Sequence, residues 1–244
     1  MGLRIVHLYP DLMSLYGGYA NVSVLKRCLE GLGHTVAVDR VCPGETPDLA
    51  GADFIYLGAG TERASLAALA ALAPHGEALR AAMEDGVAML FAGTAMELLG
   101  GSIQESGGAV HPGLGLGAFT ARRGDTRIVG DVYGRTDLLP QAVVGFMNKC
   151  AVFDGIDTPL LREVRMGPGN CGPGTPEGFS QNHLVASELT GPLLVKNPHL
   201  LKLTARRICR RRGVDLPEDL PRDPWAEQGY RVTEEQLRAL ADKQ

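Results

Sequence analysis

The segment with the clearest chemical potential is residues 87–99. There an apolar run, VAMLFA, meets Gly93-Thr94 and then a short helical pattern ending at Leu99. A strand that turns sharply at glycine into a helix is how a nucleophile elbow is built. The residue at its apex projects a Ser or Cys above the sheet for covalent attack. Here the turn reads Ala92-Gly93-Thr94-Ala95-Met96 and carries neither. A plainer reading fits the same spacing, because Thr94 and Glu97 are placed as a capping box that opens a helix. A second glycine turn, Gly58-Ala59-Gly60-Thr61, also follows an apolar run and precedes a helical pattern. Its backbone N–H groups suit an anion or a developing oxyanion. It is equally a βα turn in which glycine supplies positive φ.

The remaining reactive side chains are scattered. The five cysteines, Cys28, Cys42, Cys150, Cys171 and Cys209, form no CxxC pair and no zinc spacing, and their odd number argues for free thiols. Cys150 and Cys171 fall in segments that read as loops. Either is a nucleophile if a base stands beside it, and a small apolar filler otherwise. None of the six histidines pairs in sequence with a Cys or carboxylate at a catalytic or metal-ligating spacing. His7 lies on the first strand, in its core or at its rim. Arg206, Arg207, Arg210, Arg211 and Arg212 crowd one helix end. They suit a phosphate or an acidic partner, or simply a helix C-terminus, where cations are favoured by the backbone dipole.

The elements that must position these groups alternate through the first half. Residues 3–8, 36–41, 53–57 and 87–92 read as buried strands, and residues 20–31, 64–73 and 76–85 as helices. Strands separated by helices predict an α/β fold with a doubly wound parallel sheet. Ligands in such sheets sit at the carboxyl ends of the strands, which directs attention to residues 10–18, 58–63 and 93–96. The second half reads differently, as short strands at 126–132, 142–146, 161–164 and 183–189. Residues 167–178 (GPGNCGPGTPEG) are too rich in Gly and Pro to form an element. A helix is predicted over 198–212, a proline-rich connector over 216–224, and a last helix over 233–243 with Thr233 and Gln236 as its capping box. The organisation expected is one domain over 1–213, with 214–244 forming a connector and a helix packed on it.

Composition narrows the function. The 244 residues are 45% hydrophobic and 21% charged, the balance of a globular protein and not of a disordered or fibrous one. A net charge of −4 argues against a broad electrostatic grip on nucleic acid. No apolar run approaches the roughly 18 residues of a membrane span, and the N-terminus lacks a signal-peptide layout, so a cytoplasmic location is expected.

Taken together, several segments in order resemble the class I glutamine amidotransferases of the cobyric acid synthase type. Within that family they are most similar to the amidotransferase subunits of lipid II isoglutaminyl synthases. The resemblance is carried by HLYPDLMSLYG at residues 7–17, GAGTER at 58–63, Leu98-Leu99-Gly100, PGLGL at 112–116, and Val144-Gly145-Phe146 with Asn148. Gly169-Asn170, Glu177-Gly178 and GPLLVKNP at 191–198 complete it. It implies a flavodoxin-like α/β fold with a mostly parallel central sheet, and no cofactor. It also implies a Mur-ligase-like partner in peptidoglycan precursor amidation. In the chemistry implied, an elbow Cys attacks the side-chain amide of glutamine, a His shuttles the proton, and ammonia leaves for the ligase.

Aligned on the flanking residues, the family's Cys falls on Gly93 and its His on Thr190. The family's Gly-Phe-Glu-Asn-His reads Gly145-Phe146-Met147-Asn148-Lys149. Gly58, Ala59, Gly60 and Thr94 match the oxyanion side of the site, and Arg127 matches an arginine that contacts substrate. Neither glycine nor threonine replaces a Cys–His pair. The expectation is therefore a homologue without glutaminase activity, holding glutamine or another small molecule. The alternatives are an enzyme using a displaced nucleophile such as Cys150 or Cys171, and a binding module for a different small molecule.

Overall fold

A computed structural model describes residues 1–217 and 220–243. The chain begins with β1 (Gly2–Leu8), α1 (Ala20–Gly31), β2 (Thr35–Val41), β3 (Phe54–Leu57), α2 (Glu62–Leu72), α3 (Gly76–Glu84) and β4 (Ala88–Ala92). These match the expected elements to within two residues at each end. A 3₁₀ helix, Gly93–Leu99, follows β4.

Strand periodicity explains the layering, because successive side chains point to opposite faces of a sheet. Phe54 and Tyr56 of β3 and Ala88, Leu90 and Ala92 of β4 join one core, with Val22, Leu25 and Leu29 of α1. Ile55 and Leu57 of β3 and Met89 and Phe91 of β4 join the other, with Ala68, Leu69 and Leu72 of α2 and Leu79, Ala82 and Met83 of α3. A strand buried on both faces needs apolar residues throughout, which is why FIYL and AMLFA are unbroken.

The second half supplies β5 (Ser102–Gln104), β6 (Val110–Pro112), β7 (Thr120–Arg135), β8 (Val143–Asp154), β9 (Glu163–Met166), β10 (Phe179–Gln181), β11 (Leu184–Ser187) and β12 (Leu189–Thr190). Three helices follow, α4 (Leu193–Lys196), α5 (Pro198–Arg211) and α6 (Pro224–Ala241). The central sheet runs β10-β11-β4-β3-β1-β2. All its pairs are parallel except β10 with β11. The second sheet runs β12-β8-β7-β5-β6, with β9 also on β7. Its backbone is the long antiparallel β7–β8 ribbon, interrupted by a bulge between Arg123 and Ile128. The architecture is the expected α/β one, with a mostly parallel central sheet flanked by helices.

The structure corrects several local readings. The ribbon is far longer than the strands expected at 126–132 and 142–146, and it places Cys150 in β8, not in a loop. The last helix begins nine residues before Thr233, at Pro224, and Asp223 caps it by accepting from the N–H groups of Trp225 and Ala226. Thr233 lies inside that helix and donates to the Gly229 carbonyl. The connector expected over 216–224 includes residues 218 and 219, which lie outside the described residues. α6 packs through Leu237 and Tyr230 against Tyr133 and Val144 of the second sheet and Ala142 just before β8. Among the described residues no helix is long and apolar enough to cross a membrane.

Candidate functional site

β4 ends at Ala92 and the chain turns at Gly93, whose φ of +60° lies in the left-handed region. Every residue of the following 3₁₀ helix is buried. This is the strand–turn–helix of an elbow with glycine at the apex. β12 lies alongside: a Cβ built on Gly93 would stand 3.8 Å from Thr190 Cγ2. The two positions where the family resemblance requires Cys and His are thus neighbours in space, although nearly a hundred residues separate them. The Thr190 hydroxyl donates to the Phe146 carbonyl at 3.1 Å and is held against β8.

The elbow is also closed from above. The same Cβ on Gly93 would lie 2.6 Å from the methyl of Ala59, closer than two carbons can approach. A side chain at the apex therefore requires Ala59 to move or to lose its methyl.

The Gly58–Gly60 turn lies between β3 and α2, as expected, but its glycines do not supply positive φ. Neither Gly58 nor Gly60 has positive φ among the described residues. Glycine is needed there for close approach, since a Cβ on Gly58 would lie 2.6 Å from the Met13 carbonyl oxygen. One N–H of the turn is engaged: Gly60 N–H donates to Thr94 Oγ1 at 2.9 Å, and Thr94 Oγ1 donates back to the Gly60 carbonyl at 3.1 Å. Thr94 therefore does not cap the elbow helix, whose N-cap, Ala92, makes no side-chain bond. Glu97, the expected partner in that capping box, instead accepts from Arg123 Nε at 2.6 Å.

Arg127 stands on the half-exposed part of β7 and pairs with Glu62, the first residue of α2, at 2.6 Å. Its hydrogen bond goes to neither the elbow nor the Gly58–Gly60 turn. Glu62 also accepts from Cys150 Sγ at 3.4 Å. Burial, with the carboxylates of Glu97 and Glu62 nearby, pushes the Cys150 thiol up to about 12. Cys171 lies exposed in the Gly/Pro loop with its Sγ directed at the Phe153 carbonyl at 2.7 Å. No histidine is hydrogen-bonded to either cysteine among the described residues. A Cys–His contact does occur elsewhere, Cys209 Sγ to His34 Nε2 at 3.5 Å. That thiol is buried on α5 and raised by burial and Asp53, so it is not activated.

Sequence reasoning missed a group of buried charges beside the elbow. Arg123 binds Glu97 at 2.6 Å, Glu105 at 2.7 Å and the Ser65 hydroxyl at 2.6 Å. Glu177 accepts from the Ser187 hydroxyl at 2.9 Å and the Glu188 N–H at 2.9 Å. Lys149 Nζ donates to the carbonyls of Gly169 at 2.7 Å and Asn170 at 3.4 Å. Burial raises Glu97 and Glu177 to about 7, and Glu188 well above the usual carboxylate range. The only sequence signal was local: Glu188 interrupts the apolar run of β11 and β12.

Comparisons with known proteins bear on the family and the fold. Residues 4–197 match the model of the CobB/CobQ-like glutamine amidotransferase domain. Lipid II isoglutaminyl synthase (glutamine-hydrolyzing) subunit GatD of Streptococcus pneumoniae (strain ATCC BAA-255 / R6) is 29% identical over 218 residues, covering 88% of this chain and 84% of the relative. The protein of the same name from Staphylococcus aureus (strain N315) is 26% identical over 213 residues, covering 87% and 86%. A crystal structure of a glutamine amidotransferase superposes with a TM-score of 0.52 at 17% identity, covering 86% of this chain and 99% of that one, which is a likeness of fold. The chain belongs to the CobB/CobQ-like glutamine amidotransferase family.

Proposed function

We propose that this chain is a GatD-like subunit that assembles with a Mur-ligase-like partner in the amidation of a peptidoglycan precursor, and that it does not itself hydrolyse glutamine. The observation that carries the second half of this reading is the apex of the elbow. Gly93 has no side chain to form a thioester, and the Ala59 methyl fills the space above it.

The rest of the site supports the same reading. Amide hydrolysis by this route requires a thiolate to attack the carbonyl carbon and N–H donors to stabilise the oxyanion. An acid must also protonate the departing ammonia. This reading assigns those roles to the positions of Gly93, of the Gly60 N–H, which is bonded to Thr94, and of Thr190, which is bonded to backbone. Losing the nucleophile or the base of such a unit removes several orders of magnitude of rate. Cys150 is a poor substitute, because a thiol raised to about 12 is not a thiolate near neutral pH.

The partner role is tested by co-expressing the chain with the Mur-ligase-like protein and measuring amidation of the precursor. The reading expects a complex that uses free ammonium but not glutamine. Failure to form any complex overturns the partner role, and glutamine-dependent amidation overturns the loss of glutaminase.

A further inference from the structure

A second constellation stands apart from the elbow. His7 and Arg40 are the penultimate residues of β1 and β2, and they lie side by side in the parallel register of the two strands. Ser23 and Lys26, three residues apart on α1, share one face of that helix. These four, with Asp11 and Ser14 of the β1–α1 connection, line one cavity of about 330 Å³. That is enough for a small ligand, since such sites begin at about 300 Å³. The cavity lies at the carboxyl ends of parallel strands, where open α/β sheets hold their ligands. Neither Gly93 nor Thr190 lines it.

Its wall contains a buried group in need of a partner. His7 is 4% exposed, and its Nε2 has no hydrogen-bond partner among the described residues. The ring is held against Tyr56, with centroids 5.1 Å apart. Burial, helped by the Arg40 charge, lowers His7 to about 4, so the imidazole is neutral near pH 7. A buried polar atom without a partner calls for a bound molecule to complete it.

The groups around His7 select the chemistry. Lys26 and Arg40 face a single carboxylate, Asp11. Asp11 accepts from Arg40 Nη2 at 2.8 Å, which engages one nitrogen of the guanidinium fork. Lys26 reaches Glu30 at 3.7 Å in a half-exposed pair of little strength. α1 begins without a side-chain cap on its N-cap, Tyr19, so its first-turn N–H groups and the positive end of its dipole also favour an anion. Two cations, two serine hydroxyls and a helix N-terminus are donors enough for a tetrahedral oxyanion; the two oxygens of a carboxylate would leave more of them idle.

We propose that this cavity binds a small ligand through a phosphate group, held by Arg40, Lys26 and the start of α1, with His7 supplying a further hydrogen bond. The site is separate from the elbow and does not depend on whether the elbow is catalytic.

The test is equilibrium dialysis of the full chain against radiolabelled inorganic phosphate at neutral pH and fixed ionic strength. Binding should saturate at one phosphate per chain, with Kd of about 1 mM or tighter. Arg40→Gln and Lys26→Gln should each weaken it about tenfold, the loss of one charge-assisted hydrogen bond. Arg27→Gln removes the same charge from an exposed position of α1 outside the cavity, and should leave Kd within about twofold because exposed charges are screened. The His7 ring signals in NMR should move with the same Kd, a readout that needs no variant. No saturable binding, a weakening by Arg27→Gln equal to that by Arg40→Gln, or His7 signals that stay still, overturns the site. Displacement of the label by acetate as effectively as by unlabelled phosphate overturns the phosphate assignment.

Discussion

Two neighbouring regions of this molecule are opposites. At the elbow a strand–turn–helix backbone carries positive φ at its apex with β12 alongside, and the facing positions are Gly93 and Thr190. In the adjoining cluster the reactive side chains are plentiful, yet they sit in the core. The difference separates what fixes a fold from what performs chemistry. The elbow turn persists because β4, the 3₁₀ helix and the Gly58–Gly60 turn pack on one another, which requires no nucleophile. The charged cluster persists because removing one partner strands another in low dielectric.

The sharpest way to break this contrast is at Arg123. Arg123→Met leaves Glu97 buried without its cation and should cost about 3–5 kcal/mol in denaturant unfolding. A cost near zero would mean that the cluster is not held by charge.

The pH dependence probes the same side chains. Burial raises Glu97 and Glu177 from 4.5 to about 7, so the folded state keeps protons that the unfolded chain releases. Their contribution is fully present below 4.5 and is lost as pH rises through about 7. Glu97→Gln should flatten the fall in stability across that window, read from denaturation midpoints at successive pH values. An unchanged slope would remove Glu97 from the account.

At the elbow the expected effects are smaller and steric. Gly93→Cys places a side chain at positive φ against Ala59 and should cost about 1–3 kcal/mol. Adding Ala59→Gly should recover part of that loss, and failure to recover any would show that Ala59 does not seal the apex. Thr94→Val leaves the buried Gly60 N–H without its acceptor and should cost about 1–2 kcal/mol. Arg127→Gln, at the half-exposed pair with Glu62, should change stability by no more than about 1 kcal/mol, because exposed ion pairs are screened.

The sequence made some of this legible and hid the rest for physical reasons. Strands buried on both faces are unbroken apolar runs, so β3 and β4 and the turns that follow them could be read directly, including the position of Gly93. The β7–β8 ribbon was underestimated because much of β7 from Arg122 through Arg127 is polar, exposed except at Arg123, and shows no apolar alternation. The capping-box readings failed at Thr94 and Thr233 because spacing alone does not reveal whether a hydroxyl faces a helix end. Thr94 meets Gly60 across the elbow, and Thr233 lies mid-helix. The charged cluster was invisible because its members come from the elbow helix, β7, β8 and the β11–β12 junction, and only the fold brings them together.

The central claim is that the preserved elbow does no glutamine chemistry. It is tested most directly by glutamate release from glutamine by the wild-type chain, alone and in complex with the proposed Mur-ligase-like partner. The account predicts no release above the uncatalysed background in either sample. Sustained release that survives replacement of Cys150 and Cys171 by serine, or that is abolished by it, would contradict the claim and place a working nucleophile in the chain or its complex.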